Sequence, residues 1–166
     1  MGSGVAGVVV GRAEGEGESW WWFGGLATIR VSGEESGGVL SHVELLYPPG
    51  LPVPRHVHHR EDESWYVLDG EMTFTIGGRT IVAGPGSVVF GPRDEQHGFV
   101  VTSPHPARYL VTYAPAGFEA FIRATGVAAP ARTLPPPAAP PSAEEQAEIG
   151  RFMAAEYGCE FIEEPD

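Results

Sequence analysis

Short stretches of alternating apolar and polar residues dominate the first two thirds of the chain. They recur at intervals of about 8–12 residues, and Gly- or Pro-containing segments separate them. Alternation places every second side chain on the same face of a strand. Regularly spaced short strands predict an all-β sandwich or barrel. The predicted strands are residues 5–10, 19–23, 26–31, 39–47, 63–69, 72–76, 79–82, 87–90, 97–102 and 108–113.

Helical patterns follow the last predicted strand. Residues 116–125 place Phe118, Phe121 and Ile122 on one face of a short helix. The Pro-rich segment 134–141 predicts a semi-rigid linker.

A capping box at Ser142 and Glu145 predicts the start of a second helix, which runs to about Tyr157. Its apolar stripe is Ile149, Phe152 and Met153. We therefore divide the chain into three parts. Residues 1–38 are N-terminal strands that pack on the barrel or on a partner subunit, residues 39–115 are the barrel core, and residues 116–166 are the C-terminal helices with the linker.

Composition narrows the classes of partner. The net charge of −12 argues against nucleic acid, which favours a basic surface. No apolar run approaches the roughly 20 residues that span a membrane, and the first residues lack a secretory signal pattern.

The single cysteine, Cys159, excludes an intramolecular disulfide. We expect a cytoplasmic protein. The ten basic residues are all arginine, so a reaction mechanism that uses a lysine Schiff base is excluded.

Three histidines and one glutamate occur at spacings that allow them to meet. His56 and His58 are two residues apart, so on a strand they project from one face. A short polar turn, residues 59–62, separates them from Glu63 at the start of the next strand. His97 opens a later strand. Three nitrogens and one oxygen can bind one divalent transition metal, but this donor set does not distinguish Fe, Ni, Mn, Co, Cu and Zn.

These residues also carry a family resemblance. Gly50, His56, His58, Glu63 and Gly70 match the first motif of the cupin superfamily at every defined position. Gly86, Pro92 and His97 match its second motif, whereas Asp94 stands where a Gly is usual and Val101 where an Asn is usual. The resemblance implies a single jelly-roll barrel with His56, His58, Glu63 and His97 as metal ligands.

Alternation also predicts which side chains share the interior with the ligands. An apolar, largely aromatic lining beside a metal favours a flat aromatic ligand, although the same side chains could simply fill a small barrel. The candidate pocket residues are Trp65, Val67, Met72, Phe74, Ile76, Phe99 and Val101.

A narrower resemblance spans nearly the whole chain. The chain resembles single-domain quercetin 2,3-dioxygenase-like cupins of actinobacteria at residues 23–31, 65–71 and 114–119 and in the linker that leads to Glu156-Tyr-Gly. The resemblance implies a homodimer that uses O2 to open the central ring of a flavonol, with Glu63 as the base that accepts the hydroxyl proton.

We expect a metal-dependent dioxygenase that acts on a flavonol-like or polyketide-like aromatic. One alternative is a cyclase, isomerase or decarboxylase of secondary metabolism in which the metal is a Lewis acid. Another is a non-catalytic small-molecule-binding cupin.

Overall fold

The computed structural model describes residues 6–162, and the part of the chain that it describes is mostly β-sheet. Val5, the first residue of the predicted strand 5–10, lies outside this range, and residues 6–10 form no strand. The strands are β1 (Glu18–Trp22), β2 (Gly25–Val31), β3 (Ser41–Tyr47), β4 (Pro52–His58), β5 (Asp62–Asp69), β6 (Met72–Ile76), β7 (Arg79–Ala83), β8 (Val88–Gly91), β9 (His97–Val101), β10 (Ala107–Ala114), β11 (Val127–Ala128) and β12 (Cys159–Phe161).

Two antiparallel sheets face each other across the core. The larger sheet has the order β11-β1-β2-β3-β10-β5-β8, and the smaller has the order β12-β4-β9-β6-β7. Alternate side chains of both sheets are buried between them, as the burial of every second residue in β3 and β10 shows. This two-sheet jelly roll confirms the predicted fold class.

Within the described residues, three short α-helices lie outside the sheets: α1 (Gly33–Ser36), α2 (Glu119–Thr125) and α3 (Ala143–Phe152). Ser32 and Glu35 form a capping box that starts α1. Helix α2 buries Phe121 and Ile122 as its apolar pattern predicts. None of the described helices is long and apolar enough to cross a membrane.

The segment after the Pro-rich linker differs from its prediction. The capping box of Ser142 and Glu145 is present, but α3 ends at Phe152 and a π-helical turn, Met153–Tyr157, replaces the last part of the predicted helix. Gly158 ends this turn in the left-handed conformation, with φ of 64°. The chain then enters β12, a strand that the sequence pattern did not predict.

The proline-rich segment at residues 48–54 leads into β4, which begins at Pro52. Strand β12 pairs with β4 only at residues 56–58. One side of residues 52–54 therefore lies at an open sheet edge, where a proline costs no ladder hydrogen bond.

Candidate metal centre

Strand β4 places two imidazoles in the interior. His56 and His58 are 8% and 1% exposed, and their ring centroids are 5.3 Å apart. The residues lie two positions apart on the strand, so both side chains leave the same face. As predicted, the two histidine side chains project from the same face of a strand.

Neighbouring strands supply the other two side chains. His97, the first residue of β9, is the register partner of His56 on β4, and their rings are 4.4 Å apart. Glu63 lies near the start of β5 in the opposite sheet and is 3% exposed. The cluster therefore spans the gap between the two sheets at one end of the barrel.

The four side chains bring their donor atoms together. One donor atom from each of His56, His58, Glu63 and His97 lies within 4.8 Å of the other three. Glu63 Oε2 is 2.6 Å from His97 Nε2 and 3.3 Å from His58 Nε2. Metal–ligand bonds are about 2.0–2.2 Å long, so two donors on opposite sides of one ion lie at most about 4.4 Å apart. The spacing of the four donor atoms is therefore close to that of a metal site.

Unpaired polar atoms point to the same interpretation. Glu63 Oε2 and His97 Nε2 are fully buried, and neither has a hydrogen-bond partner of acceptable geometry among the described residues, although they are close to each other. Buried polar atoms are normally satisfied. A divalent cation bound by these side chains would satisfy both atoms, so the residues present fit a metal.

The outer nitrogen of each histidine is also engaged. His56 Nδ1 lies 2.8 Å from the Pro54 carbonyl, and His97 Nδ1 lies 3.1 Å from the Glu95 carbonyl. A carbonyl only accepts, so both Nδ1 atoms carry a proton, and Nε2 is the nitrogen that each ring has left to bind a cation. The backbone at Pro54 and at Glu95 thus orients each ring before any ligand binds.

Burial and neighbouring charge set the ionisation of the cluster. Burial, with repulsion from His97, lowers the pKa of His56 to about 3, so this ring is neutral at neutral pH. Burial alone would raise the pKa of Glu63. The charges of the neighbouring imidazoles, His58 first, outweigh burial and lower that pKa to about 2. Glu63 is therefore a carboxylate, the form that binds a cation or accepts a proton.

Aromatic rings pack around the cluster. Trp65 lies 5.1 Å from His97 between ring centroids, and Phe118, in the loop before α2, lies 4.4 Å from His58. These edge-on contacts place apolar rings beside two of the four clustered side chains.

The candidate pocket residues are placed in the barrel interior. Six of the seven are at most 7% exposed and belong to the main hydrophobic core, and Phe99 packs against that core. Phe74 and Phe99 pack together with ring centroids 5.4 Å apart. In this conformation the side chains fill the barrel, and their role as a substrate pocket stays a prediction.

The departure of the second motif at Asp94 has a structural basis. Asp94 has φ of 65°, the left-handed region in which the usual Gly costs nothing. Aspartate tolerates this region better than most residues. The Asp94 carboxylate is 2.6 Å from His59 Nδ1, and its N–H donates to the His58 carbonyl. The turn that presents His97 is therefore retained without a glycine.

Two buried residues near the site were not predicted from the sequence. Glu61 falls in the polar turn between β4 and β5, yet it is 3% exposed and lies 3.3 Å from His58 Nδ1. Cys159, on β12, is fully buried, and its Sγ is 3.6 Å from His58 Nε2. Only the spacing of three residues from His58 to Glu61 could have signalled the first. Nothing local signals the second.

Comparison with known proteins agrees with this architecture. Residues 43–113 match the Cupin domain family. A predicted oxalate decarboxylase from Thermotoga maritima superposes with a TM-score of 0.57 at 24% identity, over 64% of this chain and 99% of that one. An RmlC-like cupin from Shewanella frigidimarina gives a TM-score of 0.54 at 23% identity, over 64% and 92%. Because both identities are below 25%, these two structures support the fold alone.

One curated relative carries a named activity. Quercetin 2,3-dioxygenase of Bacillus subtilis is 30% identical over 79 residues, which are 48% of this chain and 23% of that protein. The chain thus matches about a quarter of this relative's length. The segment that matches the Cupin domain model, residues 43–113, contains all four clustered side chains.

Proposed function

We propose that this chain is a metal-dependent dioxygenase of the quercetinase type, which uses O2 to cleave a flavonol-like or polyketide-like aromatic. The observation that carries the proposal is the buried cluster of three imidazoles and one ionised carboxylate. The 30% identity to a quercetin 2,3-dioxygenase supports it over the matched segment. Homodimerisation and a cytoplasmic location remain expectations from the sequence.

Each side chain has a role in this proposal. His56, His58 and His97 would hold the ion with Glu63. When bound, the ion supplies positive charge that offsets negative charge on a substrate oxygen. Glu63 would have a second role as the base: its carboxylate is ionised, so on moving away from the ion it can accept the proton of the substrate hydroxyl. The packed aromatic rings keep bulk water from this proton.

Substrate access requires part of the protein to move. The four ligands are 1–8% exposed, so a molecule of flavonol size cannot reach them in this conformation. The segment that lies beside His56 and His58 in the smaller sheet is the C-terminal strap, which we define as residues 153–161. Its strand β12 pairs Cys159 with His58 and Phe161 with His56. We propose that this strap opens to admit the substrate.

Strand pairing, packing of Tyr157 on Phe121 and hydrogen bonds hold the strap in place. The His59 N–H donates to the Gly158 carbonyl at 2.8 Å, and Arg60 Nη1 donates to the Glu156 carbonyl at 2.6 Å. Met153 and Cys159 are its buried side chains, while Phe161 is 42% exposed. Strand β12 has three residues, and a strand this short can open locally without global unfolding.

Labelling of Cys159 by a thiol reagent measures this opening, because it is the single cysteine of the chain. Burial inside the docked strap and the raised pKa of its thiol both protect it. We expect labelling at least about 100-fold slower than in urea-unfolded protein. Arg60→Ala should speed it roughly 5-fold, since it removes one charged hydrogen bond.

The control for this experiment is Arg79→Ala, which removes an exposed arginine on β7, remote from the strap. It should leave the labelling rate unchanged. Folded wild-type protein that is labelled as fast as the unfolded chain would show that the strap does not cover the site.

Oxygen consumption tests the proposed reaction. Protein loaded separately with Fe, Mn, Co, Ni, Cu or Zn is mixed with quercetin or a polyketide phenol in an O2 electrode, and carbon monoxide is measured in parallel. We expect O2 uptake in step with substrate loss, and no turnover without O2. Turnover that ignores O2 and proceeds with Zn would contradict the dioxygenase and favour the cyclase, isomerase or decarboxylase. Tight binding with no turnover would favour a binding module.

A further inference from the structure

The three ligand histidines differ in what holds their outer nitrogen. His56 and His97 each face a backbone carbonyl, which no side-chain substitution removes. His58 Nδ1 instead faces the Glu61 carboxylate, at 3.3 Å. His58 is thus the one ligand of the cluster whose ring is oriented by a side chain.

Burial makes the position of Glu61 informative. Its side chain is 4% exposed and that of His58 is 1% exposed, so the pair lies almost wholly out of water. The preceding turn residues His59 and Arg60 remain at the surface. A buried carboxylate is costly unless it is paired, and in the described part of the chain its hydrogen-bonding partner is the His58 ring.

We propose that Glu61 is a positioning residue for the metal site: it holds the proton on His58 Nδ1 and so directs the Nε2 lone pair to the ion. The inference rests on the proposed metal site and goes beyond it. A carboxylate on the outer nitrogen fixes the tautomer, restrains the ring and makes the inner nitrogen a stronger donor. Glu61 then acts through His58, whereas Glu63 acts at the centre.

The geometry around His58 makes this restraint necessary. Its Nε2 is 3.3 Å from Glu63 Oε2 and 3.6 Å from Cys159 Sγ. With the proton on Nε2, the ring could donate to either atom and would offer no lone pair to a cation. The Glu61 carboxylate only accepts, so it selects the tautomer that binds metal.

Titration of metal-free protein with CoCl2 tests the proposal. Calorimetry measures the Kd, and the visible absorption of the bound ion reports its coordination. We expect Glu61→Ala to raise the Kd for Co(II) about 10- to 100-fold and to change the absorption spectrum. Glu61→Gln should raise the Kd roughly 3- to 10-fold and restore the spectrum, because its amide oxygen still accepts from Nδ1. Glu148→Gln, an exposed carboxylate on α3, is the charge control.

The outcomes separate this proposal from the function. Wild-type protein that binds no Co(II) overturns both the metal site and the role of Glu61. Wild-type binding with the same Kd and spectrum in both variants overturns the role of Glu61 alone. Should Glu61→Ala not fold, Glu61→Gln decides, since it keeps the shape: a raised Kd supports the proposal and an unchanged Kd refutes it.

Discussion

Replacing Glu63 with glutamine is expected to lower kcat about 100- to 10,000-fold, the usual contribution of a general base. Glutamine has nearly the same volume and keeps an oxygen that can contact the ion, but it cannot accept a proton from a substrate hydroxyl. Neighbouring imidazoles hold the pKa of this carboxyl at about 2, so the wild-type base is ionised at any working pH near neutrality. Steady-state O2 uptake at saturating substrate measures the change.

Glu71→Gln is the matched control for this experiment. Glu71 is an exposed carboxylate that lies next to Thr102, away from the cluster, so its loss should leave kcat unchanged. Metal content of each variant is determined beside the rate, because a drop in kcat that merely follows lost metal has a different cause. Glu63→Gln that retains its metal and the wild-type kcat would remove Glu63 from the chemistry.

The double variant His56→Ala/His58→Ala is expected to lose the metal entirely. It removes two of the four donors, and both removed rings lie on β4. A ligand that binds the folded state raises thermal stability, by about 2.7 kcal/mol at one hundred times its Kd. Added Ni(II) or Co(II) should therefore raise the Tm of the wild-type protein and leave that of the double variant unchanged.

The control for this variant is His42→Ala/His105→Ala, which removes two imidazoles outside the cluster. His42 bonds Thr112, and His105 lies in an exposed loop. This protein should show the full metal-dependent rise in Tm. An equal rise in the double variant of β4 would mean that the ion binds elsewhere on the chain.

Much of the fold could be predicted from the sequence because its signals are local. Alternation predicts strands with one buried face at residues 39–47 and 108–113, and the structure has them as β3 and β10. The paired spacing of His56 and His58 follows from the period of a strand alone. Ser142 and Glu145 likewise specify a helix start within four residues.

Features that depend on contacts distant in sequence could not be predicted. Strand β12 has three residues, too few for a periodic pattern, and its partner β4 lies about one hundred positions earlier. The turn that contains Glu61 has the composition of an exposed turn, yet Glu61 is buried beside the inward-facing His58. Whether Phe74 and Phe99 line a cavity or fill the core depends on packing from both sheets, which alternation alone does not specify.

Elemental analysis of protein purified without added metal or chelator tests the central claim most directly. We expect near-stoichiometric Fe, Mn, Co, Ni or Cu in the wild-type protein and none in His56→Ala/His58→Ala. Zinc alone would keep the metal site but favour the non-redox alternatives. The absence of metal from the wild-type protein, together with a failure to take it up on reconstitution, would contradict the account, because the buried cluster would then have no ion to bind.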